Sequence, residues 1–460
     1  MTFTSVSPTT GEALRSFATL SKADLDTRLE RAASAFHSYR RSSFADRAAA
    51  VVRVAEILLA NKDRYARLIA AEMGKLLPAA QQEVEKCAWV CRYYAEKAKD
   101  LLAPDLMEVG AHETHVRYQP LGAILAVMPW NFPFWQVIRV AAPNLMAGNV
   151  LLLKHAPNVP ECALALEGLF DQAGFPAAAF QALLIESNWV AGVIGNARIA
   201  GVTFTGSALI GKEIASEAGW QLKKSVLELG GSDPFIVLSS ADVDRAVESA
   251  VKARNINSGQ SCIAAKRFII AEEVYKQFER QFVSGMQALR IGDPFDTETE
   301  VGPLATERGV QKLEDQVQQS VAAGARILTG GKRRLDRPGN FYEPTVLTDI
   351  PKGCPAYREE LFGPVASLFR VRDIDEAIAL ANDTEFGLGA SVWTNDETDK
   401  LRSIDEIEAG SIFINGTVKS DPRLPFGGVK RSGYGRELGP QGIREFVNVK
   451  TAQVRNWRTS

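Results

Sequence analysis

The chain has 460 residues, 46% of them hydrophobic, and its 53 basic and 55 acidic residues nearly cancel to a net charge of −2. That length exceeds one simple core and points to two or three domains. Well-mixed charge without a basic stripe argues against a nucleic-acid partner. The five cysteines, at 87, 91, 162, 262 and 354, are too few and odd in number for a disulfide framework. Met1 to Leu14 show no basic region followed by an apolar run, so no secretory leader is expected. No uninterrupted apolar stretch reaches about 18 residues, so no membrane span is expected. A reducing cytoplasm is the expected location.

Residues 21–100 read as helices. Ser21-Lys22-Ala23-Asp24 caps one and Ser43-Phe44-Ala45-Asp46 starts another. Cys87 and Cys91, four apart on a helix, read as core positions rather than half a zinc site. Near 105–122 the pattern changes to short alternating segments such as Glu113-Thr114-His115-Val116-Arg117-Tyr118, expected to form a projecting hairpin. His112 and His115 in that stretch read as surface histidines, and no metal site is expected.

From 121 to 230 short apolar strands alternate with helices. Strands are expected at 121–128, 150–153, 180–185, 202–205 and 225–229, with helices at 136–147, 161–173 and 208–218. That alternation describes βαβ units and a parallel sheet covered on both faces. Ligands bind such sheets beyond the C-terminal strand ends. Pro129 to Asn131, Lys154 to Pro157, Gly206-Ser207 and Glu228 to Gly231 should therefore surround one cleft. A second α/β domain follows, with a strand at 234–238, a helix at 242–255, a strand at 267–271 and further segments at 274–289, 307–323, 326–329, 365–370, 374–382 and 411–414. The tail at 446–457 alternates apolar and polar residues and suits a sheet edge, including one on a partner subunit.

Four features carry chemistry. Cys262 lies in Asn257-Ser258-Gly259-Gln260-Ser261-Cys262-Ile263, among small polar residues, with Lys266 and Arg267 close by in sequence. Accessibility and positive charge favour a thiolate nucleophile; the competing reading is a small buried hydrophobe. Gly206-Ser207-Ala208-Leu209-Ile210-Gly211 follows a strand and opens a helix, where free N–H groups and the helix dipole attract phosphate. It lacks the Gly-x-Gly-x-x-Gly spacing, so a plain tight turn stays open beside that reading. Lys154 ends an apolar strand, where either an anion meets it or it snorkels to solvent. Glu228, between Leu227 and Leu229, is a candidate general base with a raised pKa, or else a capping or ion-paired carboxylate.

The chain resembles the aldehyde dehydrogenase superfamily over essentially its whole length. The resemblance rests on Pro129-Trp130-Asn131-Phe132-Pro133, Phe204-Thr205-Gly206-Ser207, Leu227-Glu228-Leu229-Gly230-Gly231, Gly259-Gln260-Ser261-Cys262, Glu359-Glu360-Leu361-Phe362-Gly363-Pro364 and Pro425-Phe426-Gly427-Gly428, in the family's order. Lys154-His155-Ala156-Pro157-Asn158-Val159-Pro160, Glu228 to Pro234 and Ser420 to Phe426 are most similar to the bacterial succinate-semialdehyde dehydrogenase group. The resemblance implies an α/β fold: a Rossmann-like cofactor domain (1–108 and 123–228), an α/β catalytic domain (229–435) and a small β oligomerisation arm (109–122 and 436–460). It further implies a homodimer or a dimer of dimers.

The resemblance also implies roles. Cys262 attacks the aldehyde to give a thiohemiacetal, Asn131 and the Cys262 backbone N–H hold the oxyanion, and Glu228 activates water against the thioester. Pro129, Trp130, Asn131, Lys154, His155, Ala156, Pro157, Gly206, Ser207, Leu229, Glu360 and Phe362 would bind NADP or NAD. NAD-preferring relatives commonly carry a Glu three residues after the lysine; Pro157 stands there, so NADP should be admitted and NAD also used. Arg139 aligns with a carboxylate clamp in succinate-semialdehyde enzymes, with an exposed helix charge as the alternative, and Trp135, Ser261, Ser420 and Arg423 are further pocket candidates. A second clamp arginine of some relatives is Ile256 here, which leaves other aliphatic or carboxylated semialdehydes open as substrates. A second cysteine that some relatives carry two residues past the nucleophile is Ala264, so no local disulfide switch is expected. A cofactor-independent thiol hydrolase and a catalytically silent binding protein are the competing classes. The first lacks a histidine near Cys262 in sequence; the second is opposed by Cys262, Glu228 and Asn131 occurring together.

Overall fold

Residues 2–109 and 112–454 are described by the computed structural model. The chain opens on an antiparallel hairpin, β1 (Thr2–Val6) and β2 (Ala13–Ala18), absent from the sequence reading. Nearly every residue of β2 is exposed, so no alternating apolar pattern announces it. Helices α1 (Lys22–Tyr39), α2 (Phe44–Ala60), α3 (Lys62–Met73) and α4 (Leu77–Leu101) then fill the expected helical span. Both expected caps form as reciprocal boxes: Ser21 and Ser43 Oγ each accept the Asp24 or Asp46 backbone N–H at 3.1 Å, and each aspartate accepts the serine N–H in return. Cys87 and Cys91 sit in the buried face of α4.

The projecting hairpin is β3 (Asp105–Val109) with β4 (His112–Pro120). Next come β5 (Ala123–Met128), α5 (Trp135–Ala147), β6 (Val150–His155), α6 (Pro160–Gln172), β7 (Phe180–Ala182), α7 (Val190–Gly195), β8 (Ile199–Thr205), α8 (Ala208–Trp220) and β9 (Lys224–Glu228). Strands β9-β8-β5-β6-β7 pair in parallel in that order. β5 and β6 are buried throughout, as a sheet covered on both faces requires. Met128 pairs with His155 and Thr205 with Glu228, so the four loops that follow these strands leave from one edge of the sheet.

The second sheet uses β10 (Pro234–Val237), β11 (Arg267–Ala271), β12 (Arg326–Thr329), β13 (Thr345–Thr348), β14 (Val365–Val371), β15 (Ala390–Trp393) and β16 (Ile412–Ile414), ordered β12-β13-β14-β11-β10-β15-β16. Only β12 runs antiparallel to its neighbour. Helices α9 (Val243–Asn255), α10 (Glu272–Ala288), α11 (Glu307–Ala322), α12 (Pro355–Arg358), α13 (Ile374–Asn382) and α14 (Glu397–Glu406) connect these strands. Strands β13 and β15 were not anticipated; each is four residues long, too short for a periodic signal.

The chain ends with β17 (Gly433–Tyr434), α15 (Gly439–Arg444) and β18 (Val447–Val454). β17 returns to the first sheet, antiparallel to β9, with Gly433 opposite Glu228. The tail strand pairs within its own chain: β18 runs antiparallel to β4, from Val447 opposite Pro120 to Val454 opposite Glu113. The sheet order β18-β4-β3 leaves β18 at the edge, and the last expected strand residues, 455–457, lie outside the described ones. Among the described residues no helix is long and apolar enough to cross a membrane, and no group of three His, Cys, Asp or Glu could hold a metal ion.

Asn149 stitches these parts together. Its buried amide accepts the Gly122 N–H (3.0 Å) and donates to Asn144 Oδ1 (3.1 Å) and to the Phe446 carbonyl (2.8 Å). That links the entry to β5, the end of α5 and the approach to β18. Asn149→Ala strands two buried backbone groups. It should cost about 2–3 kcal/mol, read as a lower urea midpoint at unchanged slope.

Candidate active site

The turn that carries Cys262 is held in a conformation that few residues adopt unaided. Asn257, Ser258 and Gly259 have φ of 54°, 54° and 79°, three left-handed residues in succession. Such a φ costs a non-glycine residue roughly 1–2 kcal/mol. At Gly259 a side chain is also excluded, since a Cβ would lie 2.2 Å from the Gly363 carbonyl carbon.

Hydrogen bonds hold the turn in place. Asn257 Nδ2 donates to the carbonyls of Asn131 (2.8 Å) and Gln260 (3.1 Å). Ser258 Oγ accepts from Gly302 N (3.0 Å), Gln260 Oε1 from Ala305 N (2.9 Å), and the Arg254 guanidinium donates to the Gly259 carbonyl (2.8 Å). Lys266 Nζ donates to the carbonyls of Ser261, Cys262 and Ala264 at 2.9–3.0 Å. Arg267 donates to the carbonyls of Ser232, Leu380 and Ala381.

The expectation that Lys266 and Arg267 make an electropositive, exposed thiol is therefore corrected. Both are buried and spend their protons stapling backbone. Cys262 is half-buried, and its thiol is pushed up to about 12. Burial is the main cause and Glu360 adds to it, while Arg139 and Lys266 oppose.

Cys262 stands where two cavities meet. One, of about 260 Å³, is lined by Phe132, Trp135, Arg139, Ser261, Ser420 and Phe426, among others. The second, of about 400 Å³, is lined by Trp130, Asn131, Gly206, Ser207, Leu229, Glu360 and Phe362, among others. Gln136 and Cys262 line both. A third cavity, of about 430 Å³, takes in Lys154, Ala156, Pro157 and Ser187 and shares Pro129, Trp130, Thr205 and Gly206 with the second. The last two form one groove along the C-terminal edge of the first sheet, as the strand-end argument requires.

The groove suits a dinucleotide. Among the described residues Lys154 Nζ meets only Ser187 Oγ (3.2 Å) and no carboxylate pairs with it, and burial pulls its pKa down. Ser207 caps α8 at its edge, and the first N–H groups of that helix open there. Glu360 is fixed by the Gly231 N–H (3.1 Å) and by Lys266 (3.6 Å). The Phe362 ring stands edge-on to Trp130, centroids 5.8 Å apart. Gly230 must lack a side chain, because a Cβ there would sit 2.4 Å from Glu360 Oε2.

His155 leaves the expected set. It is buried and lines none of the three cavities. Its Nε2 donates to the Pro133 carbonyl (2.9 Å), its Nδ1 accepts from Ala156 N (3.0 Å), and burial pushes its pKa down to about 4. A neutral His155 thus props the 129–133 loop from beneath. That loop places Asn131, whose Oδ1 accepts from Gln136 Nε2 (3.1 Å) and whose Nδ2 donates to the Gln260 carbonyl (3.0 Å). The second Nδ2 proton is left for the cavity.

Glu228 is buried at the end of β9, and neither carboxylate oxygen has a hydrogen-bond partner. Burial, followed by the Glu437 charge, pushes its pKa well above the usual carboxylate range. It lines none of the three cavities and packs against Gly427, where a Cβ would lie 2.6 Å from Glu228 Oε1.

Arg139 reaches the first cavity, but not as a free fork. It is ion-paired with buried Glu437, donates to Thr205 Oγ1 (3.3 Å) and lies 5.1 Å from the Phe426 ring centroid. Arg423 is corrected outright: it is exposed, paired with Asp421 (2.7 Å) and lines none of the cavities. Sequence reasoning missed Gln136, Gln260, Asn257, Glu437 and Lys86. The first three are ordinary amides whose roles exist only in contact. Lys86 lies on α4, more than forty residues before the first motif.

Comparisons with known proteins agree with this geometry. The model of the aldehyde dehydrogenase family matches residues 1–452. The chain is 54% identical over 457 residues to succinate-semialdehyde dehydrogenase [NADP(+)] 1 of Mycobacterium bovis, covering 99% of this chain and all of that protein. It is 52% identical over 454 residues to a probable succinate-semialdehyde dehydrogenase [NADP(+)] of Synechocystis, with the same coverage. The crystal structure of succinic semialdehyde dehydrogenase from Streptococcus pyogenes, in complex with NADP+, superposes with a TM-score of 0.96 at 38% identity, over 99% of this chain and all of that one.

A thiol held this high reacts slowly with alkylating agents near neutrality. Iodoacetamide labelling of Cys262 in the cofactor-free protein should accelerate about tenfold per pH unit from 7 to 9 without a plateau. A rate that levels off below pH 8 would show a thiolate already formed.

Proposed function

The chain belongs to the aldehyde dehydrogenase family and is an NAD(P)-dependent enzyme of it; we propose that it oxidises succinate semialdehyde to succinate, with NADP+ as the better cofactor and NAD+ also used. One observation carries the reading: Cys262 lines both the apolar-walled cavity and the dinucleotide groove. A carbon bonded to its sulfur from the first cavity faces the second. Among the described residues no histidine lines either cavity, so a cofactor-independent thiol hydrolase would have no imidazole beside Cys262.

In the proposed cycle Cys262 gives its proton to solvent water, and its sulfur bonds to the aldehyde carbon. The carbonyl electrons move to oxygen, which the free Asn131 Nδ2 proton and the Cys262 N–H hold. The nicotinamide, when bound, supplies the acceptor for the hydride that leaves this carbon. The product on Cys262 is a thioester. Glu228, with no hydrogen bond tying it to its resting place, turns toward the thioester and takes a proton from water as that water attacks. The carbon–sulfur bond breaks, the acid departs and the thiolate returns. Lys154 and Ser187 would meet the adenosine ribose and its 2′-substituent, Gly206 and Ser207 the pyrophosphate, and Glu360 the nicotinamide ribose. Broader use of aliphatic aldehydes is the second reading, favoured by Ile256 in the cavity wall and by the pairing of Arg139. A homodimer or dimer of dimers is proposed for the assembly.

Two measurements test the scheme. Glu228→Gln should release about one reduced nicotinamide per site in a burst and then turn over at least about a hundredfold more slowly than the parent; no burst would place Glu228 before hydride transfer. For the cofactor, Pro157→Glu sets a carboxylate near the 2′-phosphate and should lower kcat/KM for NADP+ about tenfold or more relative to NAD+. A parent enzyme that strongly prefers NAD+ would refute the cofactor assignment.

A further inference from the structure

We propose that Lys86 is the residue that receives the remote carboxylate of the substrate, with Ser420 and Trp135 holding it in place. This rests on the substrate reading above and names the side chain that enforces it. The cavity beside Cys262 has four cations on its walls: Lys75, Lys86, Arg139 and Lys419. Two are already neutralised inside the protein. Lys75 is buried against Glu83, whose other oxygen accepts the N–H groups of Phe134 (2.9 Å) and Trp135 (3.0 Å). Arg139 is buried against Glu437. Lys419 is exposed to solvent.

Lys86 differs from all three. It is half-buried, and among the described residues no carboxylate lies within ion-pair distance of it. Its Nζ donates to Ser420 Oγ (2.7 Å) and lies 4.3 Å from the Trp135 ring centroid. One ammonium proton is thereby used and two remain. Asp421, the adjacent acid, is occupied by both nitrogens of the Arg423 fork. A cation over an aromatic face, steadied by one neutral hydroxyl, is aimed but not satisfied. Phe132, Ile256, Ile263, Val418 and Phe426 supply apolar wall for the methylenes of a short chain.

The electrostatics agree with a cation that has no acid beside it. Burial pushes Lys86 down to about 8; Arg139 pushes the same way, while Cys87, Glu83 and Asp421 oppose. A carboxylate arriving beside it would return the charge to full occupancy.

The decisive experiment compares succinate semialdehyde with uncharged butanal, which has the same number of carbons, in the parent, Lys86→Met and Lys86→Arg. In the parent, kcat/KM should favour succinate semialdehyde. Lys86→Met should lower that preference roughly ten- to hundredfold, mainly through KM, and Lys86→Arg should restore much of it. In the parent, KM for succinate semialdehyde should rise above about pH 8 as Lys86 loses its proton. In Lys86→Arg that rise should vanish, because a guanidinium stays charged. Succinate should raise the Tm of the parent and of Lys86→Arg but not of Lys86→Met, a readout that needs no turnover. If the parent prefers succinate semialdehyde and Lys86→Met loses both aldehydes equally, or neither, Lys86 is not the receiver while the substrate reading stands. If the parent treats both aldehydes alike, the substrate reading and the role of Lys86 fall together.

Discussion

The site depends on one constraint: the nucleophile must sit at the seam between two sheets, and the backbone there must be left-handed. Asn257, Ser258 and Gly259 are pinned from both sides of that seam. Asn131, from the loop after β5, accepts from Asn257 on one side. On the other, Gly302 and Ala305 donate into Ser258 and Gln260, and Gly363 presses on Gly259. A turn held from both sides of the seam cannot drift with either sheet alone. The strain of two non-glycine left-handed residues is stored where it fixes a sulfur atom. Asn131 serves this geometry twice, its backbone carbonyl holding the turn and its side chain left with a proton for the developing oxyanion.

Around that turn the protein buries charge and leaves much of it unbalanced. Glu228 has no hydrogen-bond partner, Lys154 has only a hydroxyl, and Asp233 is pushed up to about 7, chiefly by burial. Removing ions from water is costly, and a group that cannot be paired shifts toward its neutral form. The site is therefore a set of buried groups each biased toward its neutral form rather than a set of fixed charges. A thiol held high needs a reason to give up its proton, and an electrophilic carbon at sulfur supplies it. A carboxylate held high is the stronger base toward the water that attacks the thioester. Glu437 and Arg139 form the internal counterweight, a buried pair whose charges set the field that Glu228 feels.

Much of the first sheet was legible because βαβ units write themselves as short apolar runs between capped helices. The expected strand ends at 128, 205 and 229 fall within a residue of the observed ones, 153 falls two residues short, and 185 overshoots the observed end at Ala182 by three. The second sheet was less legible: β13 and β15 lie in four-residue segments that carry no period. The N-terminal hairpin was invisible because its second strand is almost wholly exposed. The tail was read correctly as a strand, but its partner is β4 of its own chain, and pairing is a property of the folded molecule rather than of an alternating pattern. His155 was misplaced for a similar reason. Strand residues alternate sides, and the position next to Lys154 turns beneath the loop instead of into the groove.

Cofactor residues and substrate residues differ in how they can be inferred. The groove is built at strand termini, where topology dictates which residues meet, so Gly206, Ser207 and Lys154 could be named from their places in the chain, while Glu360 came only with the family resemblance. The aldehyde cavity is walled by the faces of α4 and α5 and by the loop through Ser420, and nothing in a linear sequence brings those together. Charge makes the difficulty sharper. An arginine on a helix near the nucleophile looks like a clamp until Glu437 is found beside it, and a lysine far upstream looks like solvent-facing filler until its lack of an acid is seen. What marks a cation as a ligand's partner is the absence of an internal one, and an absence of that kind is visible only in the folded chain. The same test separates Lys154 from Lys266. Both are buried lysines beside the groove, yet one donates to three carbonyls of its own turn and the other only to a serine hydroxyl.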